Sequence, residues 1–363
     1  MSNDSFYLLN AGRSNGLFTG LFSQAENDMS ISSSSPFKVA TVPLISQRGN
    51  ASRNVANVSA WLADAALQEI SLVVFPEASL VGYGDTLNLR RRELVTLAES
   101  LDGHSIDEVA NAVERTGVAA GVGFIERAPD GRLFNSYVIC MPGGVRCCHR
   151  KLHMVEHPGI ERGEQYTVLD TTWGVRIGIL IGADNYLIET VRMTAMMGAT
   201  LLVAPHRIYG SDSNGEAALQ RLSPAQRVRP HAAHSAIAEE NADAADWLRQ
   251  SMIARASDNG MFVVFSNGSE QGSNQGGMII DPLGRVLAEH GSSSSPMVSA
   301  EVNPGLIAGS VGQQCLTARR SDSNGPFVRS MLPRDNAFAE RRGTPSRGAI
   351  ALSFAQVSRI RQT

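Results

Sequence analysis

The sequence predicts a mixed α/β protein in which sheet packs on sheet and helices lie outside. Two patterns predict it. Helical spacing alternates with short β-branched runs in the first half, and strand-like runs cluster in the second. The longest apolar runs, around "SLVVF" and "GMFVVF", have the length of strands. None approaches the roughly 20 residues needed to span a bilayer.

Taken in order, "KVATVPLI" reads as a strand. "NVANVSAWLADAALQEI" carries apolar residues at helical spacing, with Asn54 as the expected N-cap. "SLVVFPEASLVGYG" is a strand running into a loop, "SIDEVANAVERTG" a helix and "VAAGVGFIER" a strand. "GRLFNSYVICMPGG" and "GVRCCHRKLH" read as strands joined by a Gly-Gly turn. "GILIGADNYLIETVRMTAMMGATLLVAPH" reads as strand, sharp turn, helix and strand. "ADWLRQSMIARASDNG" is a helix that stops at Gly260, and "MFVVFSNGS", "GGMIIDPLG" and "RVLAEH" are strands.

Residues 1–36 are rich in Ser, Asn and Gly and read as a mobile arm. Residues 37–308 form the regular domain. Residues 309–363 are basic, poor in periodic apolar positions, and read as a tail that wraps a neighbouring subunit or frays. The polar stretch from Ile208 to Glu240 reads equally as an active-site lid or a surface insertion.

The chain has 363 residues, 43% of them hydrophobic, enough for a large core. A formal net charge of −3 leaves no electrostatic footprint for nucleic acid. The N-terminus lacks a basic region followed by an apolar stretch, the pattern of a signal peptide. Cys140, Cys147, Cys148 and Cys315 lack metal-ligand spacing and are too few for a disulfide scaffold. The expectation is a cytoplasmic protein without nucleic-acid or membrane partners.

Three positions carry chemistry. Glu77 ends the apolar strand in "VVFPEASLVGYG", where an unpaired charge is costly and a general base is well placed. The ordinary alternative is a strand-end Glu that faces water. Lys151 ends the strand in "CCHRKLH". Alternation puts Cys147, His149 and Lys151 on one face and Cys148 and Arg150 on the other. A Lys inside a sheet core needs a carboxylate partner, whereas a strand-end Lys in water needs none. The turn at Gly182, followed by Asp184, Asn185 and Glu189, is a place where an α/β enzyme presents a nucleophile or aims backbone N–H groups at an anion. Its ordinary reading is a βα turn in which Gly182 relieves strain.

Together the three positions resemble the nitrilase, or carbon–nitrogen hydrolase, superfamily. Its members carry a Glu in a "PE" strand end, a Lys in an "RK.H" strand end and a Cys in a "GxLICxD" strand end. This chain has "FPEASLVGYG", "HRKLHMVEH" and "GILIGADNYLIETVR" in that order. "TVLDTTWGVRIGILI", "GATLLVAPH", "ARASDNGMFVVFSNG" and "GGMIIDPLGRVLAE" are similar to the family's own phrases, so the resemblance covers Lys38 to Ala308. It implies a four-layer αββα sandwich that pairs into a homodimer, a small-molecule substrate with an amide, nitrile or imine C–N bond, and no cofactor or metal. It also implies roles. Glu77 is the base, Lys151 stabilises the oxyanion, and a second Glu positions substrate: Glu161, with Glu156 as the competitor. Ala183, Asp184, Asn185, Tyr186 and His206 fall around the substrate.

The departure from the family is at the nucleophile. Aligning "LIGADNYLIE" with the family phrase puts Gly182 at the Cys position, and a shift to Ala183 spoils the match at Asp184 and Glu189. Cys147 does not substitute, being four strand residues, about 13 Å, from Lys151. Three readings remain: an inactivated variant of an ordinary amidase or nitrilase, a non-catalytic binding or oligomerisation module, and an enzyme that works through an activated water. The third is preferred, because Glu77 and Lys151 are both kept.

Overall fold

The computed structural model describes residues 35–82, 89–153, 157–207, 241–268, 276–291 and 296–319. Residues up to Leu316 belong to one compact unit. The proposed arm up to residue 34, the Ile208–Glu240 segment and most of the tail lie outside the described residues.

The first strand, β1 (Phe37–Thr41), leads to helix α1 (Ala51–Leu67) and strand β2 (Ile70–Val74). Helices α2 (Arg91–Leu97) and α3 (His104–Thr116) follow, then β3 (Ala119–Arg127), β4 (Leu133–Met141) and β5 (Val145–Arg150). With β12 (Val298–Val302) they make one sheet in the order β12-β1-β2-β3-β4-β5. The second sheet uses β6 (Thr167–Asp170), β7 (Arg176–Ile179), β8 (Leu201–Arg207), β9 (Phe262–Gly268), β10 (Met278–Ile280) and β11 (Val286–Glu289). Its order is β11-β10-β9-β8-β7-β6. Helix α4 (Ile188–Met196) links β7 to β8, and α5 (Asn241–Asn259) precedes β9.

Period-2 alternation builds the layers. In β2, Leu72 and Val74 join Val39, Tyr137 and Ile139 in a core shared with Ile177, Ile179, Val203 and Val264 of the other sheet. Val73 and Phe75 point the other way, onto Val58 and Leu62 of α1 and Ile106 and Val109 of α3. The second sheet repeats this, with Leu202, Val263 and Phe265 against Val191 of α4 and Leu248 and Met252 of α5. The layers are therefore helix, sheet, sheet, helix, as expected. The β4–β5 hairpin turns through Pro142, Gly143 and Gly144, and both glycines take a positive φ that a Cβ would penalise.

The start of α1 differs from expectation. Asn50, not Asn54, is the N-cap, and its side chain accepts the Arg53 N–H. Asn54 lies one turn inside the helix, fully buried, donating to the Gln47 and Leu80 carbonyls. It ties the helix to the loop beyond β2, so its polarity signals a tertiary anchor and not a helix start. Helix α2 and the two short helices α6 (Gly305–Ala308) and α7 (Val311–Ala318) carry no clear periodicity in the sequence.

Candidate active site

Glu77 follows β2 on a turn that docks against β3. Ala78, buried beside it, is held at a φ of 51°, a strained conformation for a residue with a Cβ. Two contacts hold the turn: the Leu80 N–H donates to the Gly123 carbonyl, and the Gly123 N–H donates to Ser79 Oγ. Glycine is needed at 123, since a Cβ there would stand 2.2 Å from the Ala78 nitrogen. The Glu77 side chain lies inside the molecule and is only 3% exposed.

Lys151 leaves the end of β5 and is 1% exposed. Its Nζ donates to Glu77 Oε1 at 2.8 Å. Asn135 of β4 donates to the same oxygen at 2.6 Å. Two donors therefore anchor Oε1. The other oxygen, Oε2, faces Gly182. A Cβ built on Gly182 would stand 2.7 Å from Oε2 and 3.0 Å from Lys151 Nζ. Gly182 sits at a φ of 49°, at the start of the 3₁₀ turn Gly182–Tyr186 that follows β7. The three expected positions thus converge, and the only one without a side chain is the one the other two face.

The choice of lysine is informative. Of the 32 Lys and Arg residues only Lys38 and Lys151 are lysines. At 151 the chain places a compact ammonium against the Glu77 carboxylate.

The remaining residues fall into two groups. Asp184 and Asn185 are fully buried and face the chain's own backbone. Asp184 accepts from the Leu152, His153 and Ile181 N–H groups at 2.7–3.2 Å. His149 Nε2 stands 3.6 Å from its Oδ2, and His149 Nδ1 meets Thr167 Oγ1 at 3.0 Å. Burial is the largest single influence on the Asp184 carboxyl and would raise it. His149, the Lys151 charge and the His153 N–H together outweigh burial and hold it below the ordinary carboxylate value. Asn185 donates to the Leu180 and Gly182 carbonyls, bracing the turn from beneath.

Tyr186 and His206 belong to an aromatic row. Their rings lie 5.8 Å apart, with Trp247 edge-on to Tyr186 and Phe265 4.7 Å from His206. The His206 carbonyl accepts the Glu77 N–H, so this row abuts the base through backbone. Ala183 is half-buried. The Glu161 N–H donates to the Leu133 carbonyl, beside the start of β4, and its side chain is exposed. Among the described residues the Glu161 carboxylate makes no hydrogen bond or ion pair. Glu156 lies outside the described residues.

Cys147 offers no substitute nucleophile. It packs in the core between the sheets, and burial pushes its thiol up to about 11. Sequence reasoning missed Asn135. The available signal was an Asn inside the otherwise apolar strand "LFNSYVICM", since a buried amide must find partners.

The sequence profile of the Carbon-nitrogen hydrolase family matches residues 38–309. The chain belongs to the carbon–nitrogen hydrolase family. A curated relative, an (R)-stereoselective amidase from a Pseudomonas species, is 29% identical over 262 residues, covering 70% of this chain and 81% of the relative. An aliphatic nitrilase from Sinorhizobium fredii is 23% identical over 287 residues, covering 74% and 86%. An amidase from the nitrilase superfamily, from Nesterenkonia AN1, shares the fold with a TM-score of 0.58 at 18% identity, covering 82% of this chain and 98% of that one. A structure of a Glu→Gln mutant of that amidase carries the acetamide moiety of fluoroacetamide added covalently at its active site cysteine. This member of the family holds glycine where Glu77 and Lys151 converge. No helix among its described residues is long and apolar enough to cross a membrane.

Proposed function

We propose that this carbon–nitrogen hydrolase cleaves the C–N bond of a small amide or nitrile without a covalent enzyme intermediate. The observation that carries the reading is the buried Glu77–Lys151 pair, anchored by Asn135, with Oε2 aimed at the bare Gly182. The relatives named as an amidase and a nitrilase support the bond class. Gly182 occupies the family's nucleophile position in this reading, and water replaces the thiol.

For an amide the atoms balance as follows. Glu77 takes a proton from water, and the water oxygen bonds to the carbonyl carbon. The carbonyl oxygen becomes negative and is stabilised by the Lys151 ammonium. When the C–N bond breaks, the proton on Glu77 passes to the leaving nitrogen. The products are an acid and an amine or ammonia. Glu161, with Glu156 as the alternative, is the second carboxylate in this reading, and the protein works as a cytoplasmic homodimer without cofactor.

Incubation with a panel of small amides, nitriles and imines, following amine or ammonia release, tests this. Turnover that Glu77→Gln abolishes, with no mass added to the protein during the reaction, supports it. A second reading has its own observation: Glu77 and Lys151 are 3% and 1% exposed, and Oε2 sits against Gly182. Such a closed pair suits a scaffold that binds without reacting. Absence of turnover across the panel, with the chain's biological activity intact in Glu77→Gln and Lys151→Ala, selects that reading.

A further inference from the structure

We propose that Asp184 is a positioning residue that clasps the Lys151 strand end of one sheet to the Gly182 turn of the other. In the reaction proposed above it keeps the ammonium in place while Glu77 carries a proton. That last step rests on the hydrolase reading; the clasp itself does not.

Lys151 is the first residue after β5, in the sheet that also carries Glu77. Gly182 follows β7, in the opposite sheet. No backbone ladder joins the two strand ends, so something else must set their spacing. Asp184 does so directly. Its carboxylate takes the N–H groups of Leu152 and His153, the two residues after Lys151, and the Ile181 N–H at the base of its own turn. One fully buried side chain thus bonds to both sheets within one residue of Lys151 and one of Gly182. His149, two residues before Lys151 on the same face, closes the other side against Asp184 and against Thr167 of β6.

The charge arrangement explains why a carboxylate is used. When Glu77 takes up a proton, its anionic attraction for Lys151 is lost. Asp184, held charged by three amides and a neighbouring imidazole, remains as a fixed negative group beside the ammonium. An asparagine of the same shape keeps part of the hydrogen bonding and removes the charge.

The two-lysine composition gives a clean test. Acetic anhydride labels amines, and peptide mass spectrometry separates Lys151 from Lys38. Lys38 is 45% exposed and serves as the internal reference. The ratio of Lys151 to Lys38 labelling is measured on the full chain, without substrate, for wild type, Asp184→Asn, Asp184→Ala and Leu62→Ala. Leu62 packs in the α1 layer on the far face of the first sheet and controls for general loosening. The expected result is a ratio raised about tenfold or more in Asp184→Asn, the scale on which losing a charged hydrogen bond moves a local opening equilibrium. Leu62→Ala should leave the ratio unchanged at the same loss of Tm. If Asp184→Ala fails to fold, the near-isosteric Asn variant still decides. An unchanged ratio in Asp184→Asn overturns the proposal, as does an equal rise in Leu62→Ala. Because no substrate enters the assay, a failed turnover screen leaves the clasp standing, and a failed clasp leaves the turnover result standing.

Discussion

Glu77 Oε2 rests against the bare face of Gly182, so close that a Cβ at 182 would stand 2.7 Å from it. A side chain at 182 would therefore meet the acid–base pair at its first carbon. Gly182 also sits at a φ of 49°, a conformation that penalises any Cβ. Gly182→Ala is therefore expected to destabilise the fold by about 1–3 kcal/mol, the usual cost of overpacking. Urea denaturation of the two proteins measures it. An alanine variant as stable as wild type would show that Glu77 and Lys151 withdraw at no cost.

The Glu77–Lys151 pair makes a second prediction. Each group is buried, so removing one takes a charge-assisted contact from the other. Lys151→Met should cost about 3–5 kcal/mol, because Glu77 loses its 2.8 Å ammonium partner inside the protein. The double change Glu77→Gln with Lys151→Met should cost less than the single Lys151→Met. A double-mutant cycle by chemical denaturation gives the coupling. Additive costs would mean that the 2.8 Å contact contributes nothing to the native state.

Asp184 gives stability a pH dependence of known sign. Its folded-state value lies below the ordinary 3.8, despite burial. The group therefore stabilises the fold at pH values above its unfolded-state value, and this contribution is lost as pH falls through the lower folded-state value. Wild type should exceed Asp184→Asn most clearly near pH 6, and the gap should narrow as pH drops below about 4. Denaturation midpoints across that range check it. A gap that widens on acidification would contradict the sign.

Much of this site can be read in the sequence, for a definite reason. Glu77 and Gly182 each follow a nearly apolar strand, Lys151 follows one whose buried positions alternate, and strand ends at one edge of a sandwich converge. The four layers follow from the same alternation of faces. What escaped depends on tertiary partners. Asn135 reaches Glu77 only because β4 lies between β3 and β5 in the sheet order. Asn54 looks like a cap until the Leu80 carbonyl above it is known. Asp184 occupies a position that suggests substrate contact, but it also takes the Leu152 and His153 N–H groups beyond β5 of the opposite sheet, which no local pattern encodes. Helix α2 is one short stretch of seven residues, too brief for periodicity to declare itself.

Assembly can be tested separately. Around α4, Leu187, Ile188, Met196 and Met197 are 38–59% exposed. Apolar residues grouped at both ends of one surface helix mark a candidate interface. Light scattering at micromolar concentration should give the mass of two chains, and Ile188→Glu should reduce it to one. A single-chain mass for wild type would rule out this dimer.

The final prediction concerns a thiol placed at the bare position. Gly182→Cys puts a Cβ where Glu77 Oε2 and Lys151 Nζ now stand, so the ends of both side chains must shift by several tenths of an ångström. Both are far ends of flexible side chains and not backbone, so the shift is feasible at a cost comparable to that of Gly182→Ala. The new sulfur then lies beside a carboxylate that accepts its proton and an ammonium that stabilises its thiolate. The native thiols compete poorly, because burial raises Cys140 and Cys147 to about 11 and Cys148 higher still. Cys315 is exposed and provides the reference for an ordinary thiol. In a time course with fluoroacetamide followed by peptide mapping, Cys at 182 should be modified faster than Cys315. Slow amide turnover should accompany it, and Glu77→Gln in the same background should remove the turnover. Modification no faster than at Cys315 would mean that Glu77 and Lys151 do not act on a group at this position, and the hydrolase reading would lose its geometric support.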